Sequence, residues 1–362
     1  MPGDERAPAY TAAGVDIAAG EQAVTLMRAA VRATFGPAVL ADVGHFGGLY
    51  SLAGVLGQAD GPANPVLVAS ADGVGTKLRL ALAAGRHDTI GADLVNHCVN
   101  DILACGARPL FFLDYFAGSK LDPAQVATVV GGLAGACRAV GCALLGGETA
   151  EMPGFYAAGD YDLAGFIVGM VLRGRMILGS AIAPGDVVLG LPAAGLHTNG
   201  YSLARRALGL DDAAAVVIRA RLDETPPGWE ATLGEVLLLP HRCYLPAVAP
   251  LLDGPEGPLV RGMAHITGGG LPGNIARILP PGTAVALDPR AWTVPPIFAL
   301  IAERGGIAAA EMPHVFNMGL GFILIAAPAQ VAAIQALAPA AQIVGRVTAR
   351  TGDDPAVTLG DA

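Results

Sequence analysis

Apolar runs and helically spaced apolar residues divide the first half of the chain into alternating predicted strands and helices. Short apolar runs bounded by glycine and polar residues predict strands at 66–70, 110–114, 143–145 and 166–172. Helical spacing predicts helices at 17–34, 94–105 and 123–140. The last of these has Asp122 as its N-cap and Pro123 at its first position. The pattern predicts a mixed unit of strands and helices.

The second half repeats this mixture with different spacing. Strands are predicted at 187–191, 283–287 and 321–325, and helices at 201–208, 230–239, 271–279, 294–304 and 329–337. Residues 211–227 form a polar insertion that ends in proline. Because no strict βαβ rhythm is present, we expect an α+β fold of two mixed domains, 1–172 and 173–362.

The helix predicted at 94–105 has one apolar stripe and one polar side. The stripe contains Val95, Cys98, Val99 and Ile102. Asn96, Asn100 and Asp101 lie off it, so we expect Asp101 near the exposed side of this helix.

Composition narrows the class of protein. The chain has 362 residues and is 53% hydrophobic, but polar residues and two prolines interrupt its longest uncharged stretch, between His314 and Arg346. That stretch predicts a strand followed by a helix that begins at Pro328 and turns Ile334 and Leu337 inward, so we expect no membrane span. Five cysteines without a Cys-x-x-Cys pair, and no basic, apolar leader, indicate a reduced cytoplasmic protein without a cysteine zinc site. A net charge of −9 argues against nonspecific nucleic-acid binding.

Asp72-Gly-Val-Gly-Thr-Lys77 follows a predicted strand directly. Two glycines beside an acid, a hydroxyl and a cation suit a backbone that approaches a phosphate and its metal. The order of a Walker P-loop is absent. A strand-to-helix turn with a solvated Lys77 explains the six residues equally well.

Three acids at the ends of predicted elements offer oxygen ligands for magnesium: Asp72, Asp101 and Glu148. Each alone is commonly a helix cap or a surface charge. Glu148 is the least ordinary, because an apolar strand and two glycines precede it.

Two further loops combine small and polar residues. The loop from Gly195 to Ser202 can hydrogen-bond a ligand, with His197 as acid, base or phosphate donor, or it can be an Asn-Gly turn followed by a helix that Ser202 caps. Gly268, Gly270 and Gly273, with Asp288 downstream, have the spacing of a dinucleotide fingerprint. The segment before them is a poor parallel strand, which favours a phosphate-holding loop over nicotinamide binding.

Taken in order, these segments resemble the phosphoribosylformylglycinamidine cyclo-ligase, or AIR synthetase, family of purine biosynthesis. The matching stretches include DGVGTKL at 72–78, CVND at 98–101, GGETAEMPG at 146–154, HTNGYSL at 197–203, HITGGG at 265–270 and FNMG at 316–319. They extend over nearly the whole chain.

The resemblance implies a function and an assembly. It implies ATP-dependent closure of formylglycinamidine ribonucleotide to 5-aminoimidazole ribonucleotide through an imidoyl phosphate, with Mg²⁺ required. It also implies a homodimer that pairs through the N-terminal domains, with ATP in a cleft near the interface.

The resemblance also implies roles for individual residues. Asp72, Asp101 and Glu148 are expected to bind magnesium and phosphate, and His197, Asn199 and Lys77 to act at the reacting groups. Backbone contacts with nucleotide or substrate are expected at Gly47, Gly48, Gly73, Gly75, Thr76, Gly268, Gly269 and Gly270.

Some positions depart from the family pattern. Tyr10-Thr11-Ala12 stands where the family commonly has Tyr-Lys-Asp, and Leu196 stands where it has proline. Selenophosphate synthetases are a related family, but they usually carry an early reactive cysteine, and the first cysteine here is Cys98. The sequence also leaves open a nicotinamide oxidoreductase and a degenerate, inactive homologue.

Overall fold

Two β-sheets, one in each half of the chain, organise the computed structural model, which describes residues 9–211, 214–254 and 257–360. The first sheet contains β1 Gly48–Ser51, β2 Pro65–Gly73, β3 Arg108–Gly118, β4 Ala143–Glu151 and β5 Tyr161–Leu172. Its strand order is β1-β2-β5-β3-β4, and only the β3–β4 pair is parallel.

The second sheet is formed by later strands in the order β11-β8-β10-β6-β9-β7. These are β6 Val187–Pro192, β7 Gly262–His265, β8 Thr283–Leu287, β9 Leu320–Ala326, β10 Gln342–Ala349 and β11 Val357–Leu359. Strand β9 lies between β6 and β7, and every residue of it is buried. The pairing is antiparallel except between β8 and β11.

Helices accompany both sheets. In the first half they are α1 Ala9–Ala12, α2 Ile17–Arg32, α3 Lys77–Ala84, α4 Ile90–Ala104 and α5 Pro123–Ala139. In the second half they are α6 Tyr201–Ala207, α7 Ala215–Leu222, α8 Leu233–Leu237, α9 Leu245–Leu252, α10 Gly270–Ala276, α11 Pro296–Gly305, α12 Met312–Val315 and α13 Val331–Leu337. Short 3₁₀ turns lie at Arg173–Arg175, Pro289–Ala291 and Pro328–Gln330. None of the helices in the described ranges is both long and apolar enough to cross a membrane.

Helix α4 packs against one face of the first sheet, and α5 packs against α4. Gly91 permits this second contact, because a Cβ there would collide with the α5 backbone at Val129 and Leu133. The other face of the sheet carries exposed apolar side chains, among them Leu113 and Phe166. Among the described residues, helices therefore cover one face of the first sheet, and apolar side chains on the other face are exposed.

The α+β fold with two mixed sheets is confirmed, and every predicted strand and helix corresponds to an observed element. The exact division at 172/173 stays a prediction. Strands β1, β7, β10 and β11 and helices α1, α3, α7, α9 and α12 were not predicted, because short or polar-interrupted segments give a weak periodic signal. Of the predicted polar insertion at 211–227, residues 212–213 lie outside the described residues, as does the N-terminal segment 1–8, and α7 occupies part of the rest.

Two expectations about burial were wrong. Asp101 and Asn100 are buried rather than near solvent, because the second half of the chain covers the polar side of α4. Leu337 was expected to point inward, but it lies exposed at the end of α13, while Ile334 is buried as predicted.

The glycine loop at 268–273 does not belong to a dinucleotide-binding unit. Strand β7, which precedes it, lies at the edge of its sheet and pairs antiparallel with β9. Asp288 accepts a hydrogen bond from the backbone of Arg290 in the adjacent 3₁₀ turn. The preference for a glycine loop without nicotinamide agrees with this topology.

Candidate active site

The polar side of α4 joins the two halves of the chain. Asn96 donates to the carbonyl of His241 at 2.7 Å, and Asn100 donates to the carbonyl of Arg242 at 2.8 Å. Asn100 also accepts from the backbone N–H of Tyr244 at 2.9 Å. These side chains satisfy buried backbone groups that would otherwise lose their hydrogen bonds to water. Residues 241–244 are thereby fixed against α4.

A buried ion pair completes this junction. The Lys77 ammonium donates to Asp93 Oδ1 at 2.8 Å and to the carbonyl of Leu239 at 2.7 Å, and the backbone N–H of His241 donates to Asp93 at 2.7 Å. Burial lowers the pKa of Lys77 and raises that of Asp93, while the attraction between the two opposes both shifts. The structure thus gives Lys77 protein partners and full burial, and its charge lies close enough to His197 to help lower the pKa of that residue.

Two of the three expected magnesium ligands meet above α4. Asp72 lies near the end of β2, and Asp101 lies on α4 one turn after His97. His97 Nε2 is 2.6 Å from Asp72 Oδ2 and 3.8 Å from Asp101 Oδ2. Ser70, on the same side of β2 as Asp72, donates to Asp101 Oδ2 at 3.2 Å. A strand end and a helix face thus bring two carboxylates around one imidazole.

The charge of His97 balances these acids. Burial by itself lowers the pKa of His97, but the carboxylates of Asp72 and Asp101 outweigh it and raise this pKa to about 9. Burial opposes ionisation of Asp72, yet the His97 cation holds the pKa of Asp72 below its usual value. At neutral pH the site therefore contains an imidazolium beside an ionised carboxylate.

A chain of hydrogen bonds runs from this imidazolium through the second half of the protein and back to Asp101. His97 Nδ1 donates to Thr198 Oγ1 at 2.7 Å, and the Thr198 hydroxyl donates to His241 Nδ1 at 3.2 Å. His241 Nε2 donates to His265 Nε2 at 2.9 Å, and His265 Nδ1 donates to Asp101 Oδ1 at 2.8 Å. This assignment of protons gives every link one donor and one acceptor. The two carboxylates are the ends of one network.

His197 lies against this chain in a strained backbone conformation. Its φ is +63°, which non-glycine residues rarely adopt. Its ring stacks on that of His241 with centroids 4.0 Å apart, and its Nε2 accepts from the backbone N–H of Ala194 at 3.1 Å. Its Nδ1 is buried without a hydrogen-bond partner among the described residues. Burial, followed by nearby histidines and Lys77, lowers the pKa of His197 well below its usual value. A neutral imidazole with one unsatisfied nitrogen therefore lies in the site.

The glycine loop before α10 approaches the same place. A Cβ at Gly268 would lie 3.5 Å from Asn199 Oδ1, so these two predicted residues are neighbours. Gly269 and Gly270 have φ values of +90° and +61°. At Gly270 a Cβ would also collide with the carbonyl of Pro313. Asn274 fixes the loop by donating to the carbonyls of Thr267, Gly268 and Gly270.

The remaining loop residues lie around β2 and the turn that follows it. Gly73 ends β2, and Gly75, with φ +69°, forms the turn before α3. Thr76 Oγ1 lies 3.2 Å from Ser202 Oγ of α6, which links this turn to the second half. Gly47 and Gly48 pack beside β2, where a Cβ on Gly47 would contact Val68 and Ala69. Close packing of β1 on β2 is sufficient reason for a small residue at 47.

Glu148 does not join Asp72 and Asp101 within one chain. Gly73, Ala164, Tyr115 and Glu148 form one row across the sheet. Three strand spacings put the Glu148 backbone about 14 Å from that of Gly73. Strand alternation also directs Glu148 to the face that carries Phe166, opposite the face where Asp72 meets α4. Glu148 is exposed on that face.

Five polar residues of the network were not expected at the site from the sequence: Ser70, His97, Thr198, His241 and His265. Thr198 and His265 lie within the matching stretches 197–203 and 265–270 but had no role assigned. His97 had a usable signal, because it lies four residues before Asp101 on a predicted helix and shares its face. Ser70 had another, since it alternates with Asp72 on a strand. Nothing in the sequence near His241 indicated a site, because its contacts come from distant elements.

Two family models match the chain in order. The N-terminal domain of AIR synthase related proteins matches residues 53–171, and the C-terminal domain matches residues 183–357. A phosphoribosylformylglycinamidine cyclo-ligase from Myxococcus xanthus is 51% identical over 352 residues, which cover 96% of this chain and 98% of that protein. One from Desulfitobacterium hafniense strain Y51 is 51% identical over 333 residues, covering 90% and 91%.

Solved structures share the fold at low identity. A structure described as AaThiL complexed with AMPPCP and TMP superposes with a TM-score of 0.62 at 14% identity, covering 93% of this chain and 92% of that one. Hydrogenase maturation protein HypE in complex with ATP gives a TM-score of 0.55 at 22% identity, covering 83% and 82%. At these identities the similarity shows the fold alone.

The position of His97 predicts a pH dependence of stability. Its folded pKa is raised from 6.5 to about 9, so the stabilisation is complete below about pH 6.5 and is lost as pH rises through about 9. We expect His97→Gln to remove up to about 3 kcal/mol of pH-dependent unfolding free energy between pH 6 and pH 10. Urea unfolding of both proteins across this range measures it, and parallel stability curves for the two proteins would contradict a charged His97.

Proposed function

The chain belongs to the phosphoribosylformylglycinamidine cyclo-ligase family, and from this membership we infer that it closes the imidazole ring of 5-aminoimidazole ribonucleotide in purine biosynthesis. The substrate is formylglycinamidine ribonucleotide, and ATP is consumed to ADP and phosphate. The observation that carries this assignment is the meeting of Asp72 and Asp101 with the 197–199 and 268–270 loops at one junction. A reaction in the cytoplasm accords with five free thiols.

The reaction requires activation of the formamide group, and the attacking nitrogen belongs to the substrate, so no nucleophile from the protein is needed. The formamide oxygen attacks the γ-phosphorus of ATP, ADP leaves, and an imidoyl phosphate forms. The neighbouring amidine nitrogen then attacks the activated carbon, and the C–O bond to phosphate breaks as the ring closes with loss of a proton. The task of the protein is to position both substrates and balance their charge.

Asp72 and Asp101 suit a magnesium ion. Carboxylate oxygens are the protein ligands that Mg²⁺ prefers, usually one or two of them beside nucleotide phosphates. The Asp72 side chain is 40% exposed, so it faces both His97 and open space. When bound, Mg²⁺ would neutralise charge on the phosphates. His97 and Ser70 orient the two carboxylates for this purpose.

The small-residue loops suit the substrate and the transferring phosphoryl group. Asn199 and the backbone of Gly268–Gly270 offer neutral hydrogen-bond groups close to each other, and His197 adds a neutral imidazole. Gly73, Gly75 and Thr76 line the turn beside Asp72 and suit phosphate contacts. A phosphate contact by Lys77 stays a prediction. The hydrogen bonds of Lys77 to Asp93 and Leu239 give this lysine a second role, which is to hold Asp93 and the 239–241 segment together at the domain junction.

A homodimer accounts for the position of Glu148. The open face of the first sheet carries exposed apolar side chains, including Tyr50, Leu113, Phe166 and Met170. Exposed apolar patches of this kind are typical of interfaces. Pairing two such faces through the N-terminal domains would place Glu148 of each chain at the interface. We assign Glu148 to the metal–phosphate site of the other subunit.

Turnover with formylglycinamidine ribonucleotide, ATP and Mg²⁺ tests the activity directly, by following the aminoimidazole product. We expect Asp101→Asn to lower kcat by about 100-fold or more, because a metal-binding charge is lost. Asp60→Asn is the matched control, since Asp60 is an exposed acid paired with Arg173 far from the site. An unchanged rate in Asp101→Asn would remove Asp101 from the metal site.

Subunit complementation tests the role of Glu148. Asp101→Asn and Glu148→Gln each disable the homodimer, whereas a mixed dimer has one intact site if the two residues act from different chains. Refolding the two inactive variants together should restore about one quarter of wild-type activity, because half of the random dimers are mixed and each has one good site. Two separately refolded variants, combined afterwards, are the control. No recovery on co-refolding would place Glu148 outside a shared site.

A further inference from the structure

The His241 ring connects the strained loop at His197 to the carboxylate site. His241 lies in the segment between α8 and α9 and is fully buried. One face of its ring stacks on His197, while its two nitrogens meet Thr198 and His265. A single side chain therefore contacts both the 197–199 loop and the histidine that leads to Asp101.

Three contacts hold the His197 ring. Its Nε2 accepts a hydrogen bond from the backbone N–H of Ala194 at 3.1 Å. Strand β9 approaches it at Gly321, where a Cβ would lie 2.5 Å from His197 Cε1. The His241 ring covers one of its faces, with centroids 4.0 Å apart and planes 24° from parallel. Because Nε2 and Cε1 are adjacent atoms, the first two contacts hold one edge of the ring, and the stack on His241 fixes its plane.

The backbone conformation of His197 needs this support. Its φ of +63° lies in a region that non-glycine residues rarely adopt. Strained residues of this kind persist where the surrounding contacts over-determine them, and they cluster at functional sites. Asn317 fixes the start of the loop by donating to the carbonyl of Gly195 at 2.8 Å. Loss of the His241 ring would therefore release the His197 side chain while the start of the loop stays anchored.

His241 is itself held by its backbone and by its ring. Its N–H donates to Asp93 Oδ1 and its carbonyl accepts from Asn96, both at 2.7 Å. Its Nδ1 accepts from the Thr198 hydroxyl at 3.2 Å, and its Nε2 donates to His265 Nε2 at 2.9 Å. Burial lowers the pKa of His241 well below its usual value, so the ring stays neutral and keeps one donor and one acceptor. Rotation of this ring would break both of its hydrogen bonds.

The same ring relates His197 to Asp101. His265 accepts from His241 through Nε2 and donates to Asp101 Oδ1 through Nδ1 at 2.8 Å. The path from the His197 ring to the carboxylate is therefore one stacking contact followed by two hydrogen bonds. Each step has a defined geometry, so the orientation of His197 relative to Asp101 depends on His241.

We propose that His241 is a positioning residue, which holds the imidazole of His197 in the orientation that ring closure requires and in register with Asp101. The inference rests on the proposed function, in which His197 acts at the reacting groups. A misplaced catalytic group slows the chemical step, whereas contacts that bind ATP and substrate in the ground state remain. His241 therefore contributes to kcat rather than to substrate binding.

A double-mutant cycle measures this contribution. His241→Gln keeps a polar side chain but removes the ring that covers His197, and it should lower kcat and kcat/KM equally, by about 100-fold. In protein that already carries His197→Gln, the same change should cause no further fall in kcat, because His241 acts through His197. An equal fall in both backgrounds would show a merely structural role and overturn the proposal. So would a raised KM with unchanged kcat.

NMR of protein labelled with ¹⁵N-histidine gives a second measurement, which needs neither nucleotide nor substrate. In the wild type, His197 should be the neutral ring protonated at Nδ1, and it should stay neutral well below pH 6.5. His241→Gln should raise the pKa of His197 toward 6.5, because one face of the ring is uncovered. The matched control is His87→Gln, a half-buried histidine that contacts Tyr161 and Gln125. It should leave both kcat and the His197 signals as in the wild type.

The two measurements separate the positioning role from the proposed function. An unchanged pKa of His197 in folded His241→Gln would overturn the positioning role. A wild-type His197 that is protonated at Nε2, or that titrates near pH 6.5, would overturn it even if His241→Gln does not fold. If the expected NMR shifts are seen but the wild type forms no aminoimidazole product, the proposed function fails and the arrangement of the two rings stands.

Discussion

The polar side of helix α4 is the constraint on which the rest of the structure depends. Asp93, Asn96, His97, Asn100 and Asp101 are all on this helix, and they bind the second half of the chain or the end of β2. Most buried polar groups in folded proteins have a hydrogen-bond partner, because an unpaired one costs free energy. The two halves must therefore dock in one register, because a shift of one residue would leave several of these groups unsatisfied.

This docking also builds the site. The apolar side of α4 fixes it to the first sheet, and the polar side presents His97 and Asp101 one turn apart beneath Asp72. From the opposite direction, the second domain brings His265, His241 and the strained 197–199 loop. Neither half contains the network alone. Chemistry at this junction is consequently coupled to domain docking through hydrogen bonds of 2.6–3.2 Å.

Much of the fold could be predicted from the sequence, since long apolar runs such as 166–172 and periodic helices such as 123–140 dominate their local structure. Residues expected at the site also met where strand and helix ends converged, as with Asp72 and Asp101. The sequence could not show that Asn100 and Asp101 on the polar side of α4 are buried, because much of their cover comes from residues 241–244, far along the chain. His241 was missed for the same reason. Lys77, expected to be solvated or to bind phosphate, pairs instead with Asp93, and Leu239 and His241 cover this pair from far along the chain.

The central claim is that Asp72 and Asp101 jointly hold the divalent ion that accompanies ATP. Anomalous diffraction from crystals grown with Mn²⁺ and a non-hydrolysable ATP analogue measures this directly. We expect a manganese peak within bonding distance of carboxylate oxygens from both residues, with the analogue's phosphates on its open side. A nucleotide-bound manganese peak that touches neither carboxylate would contradict it.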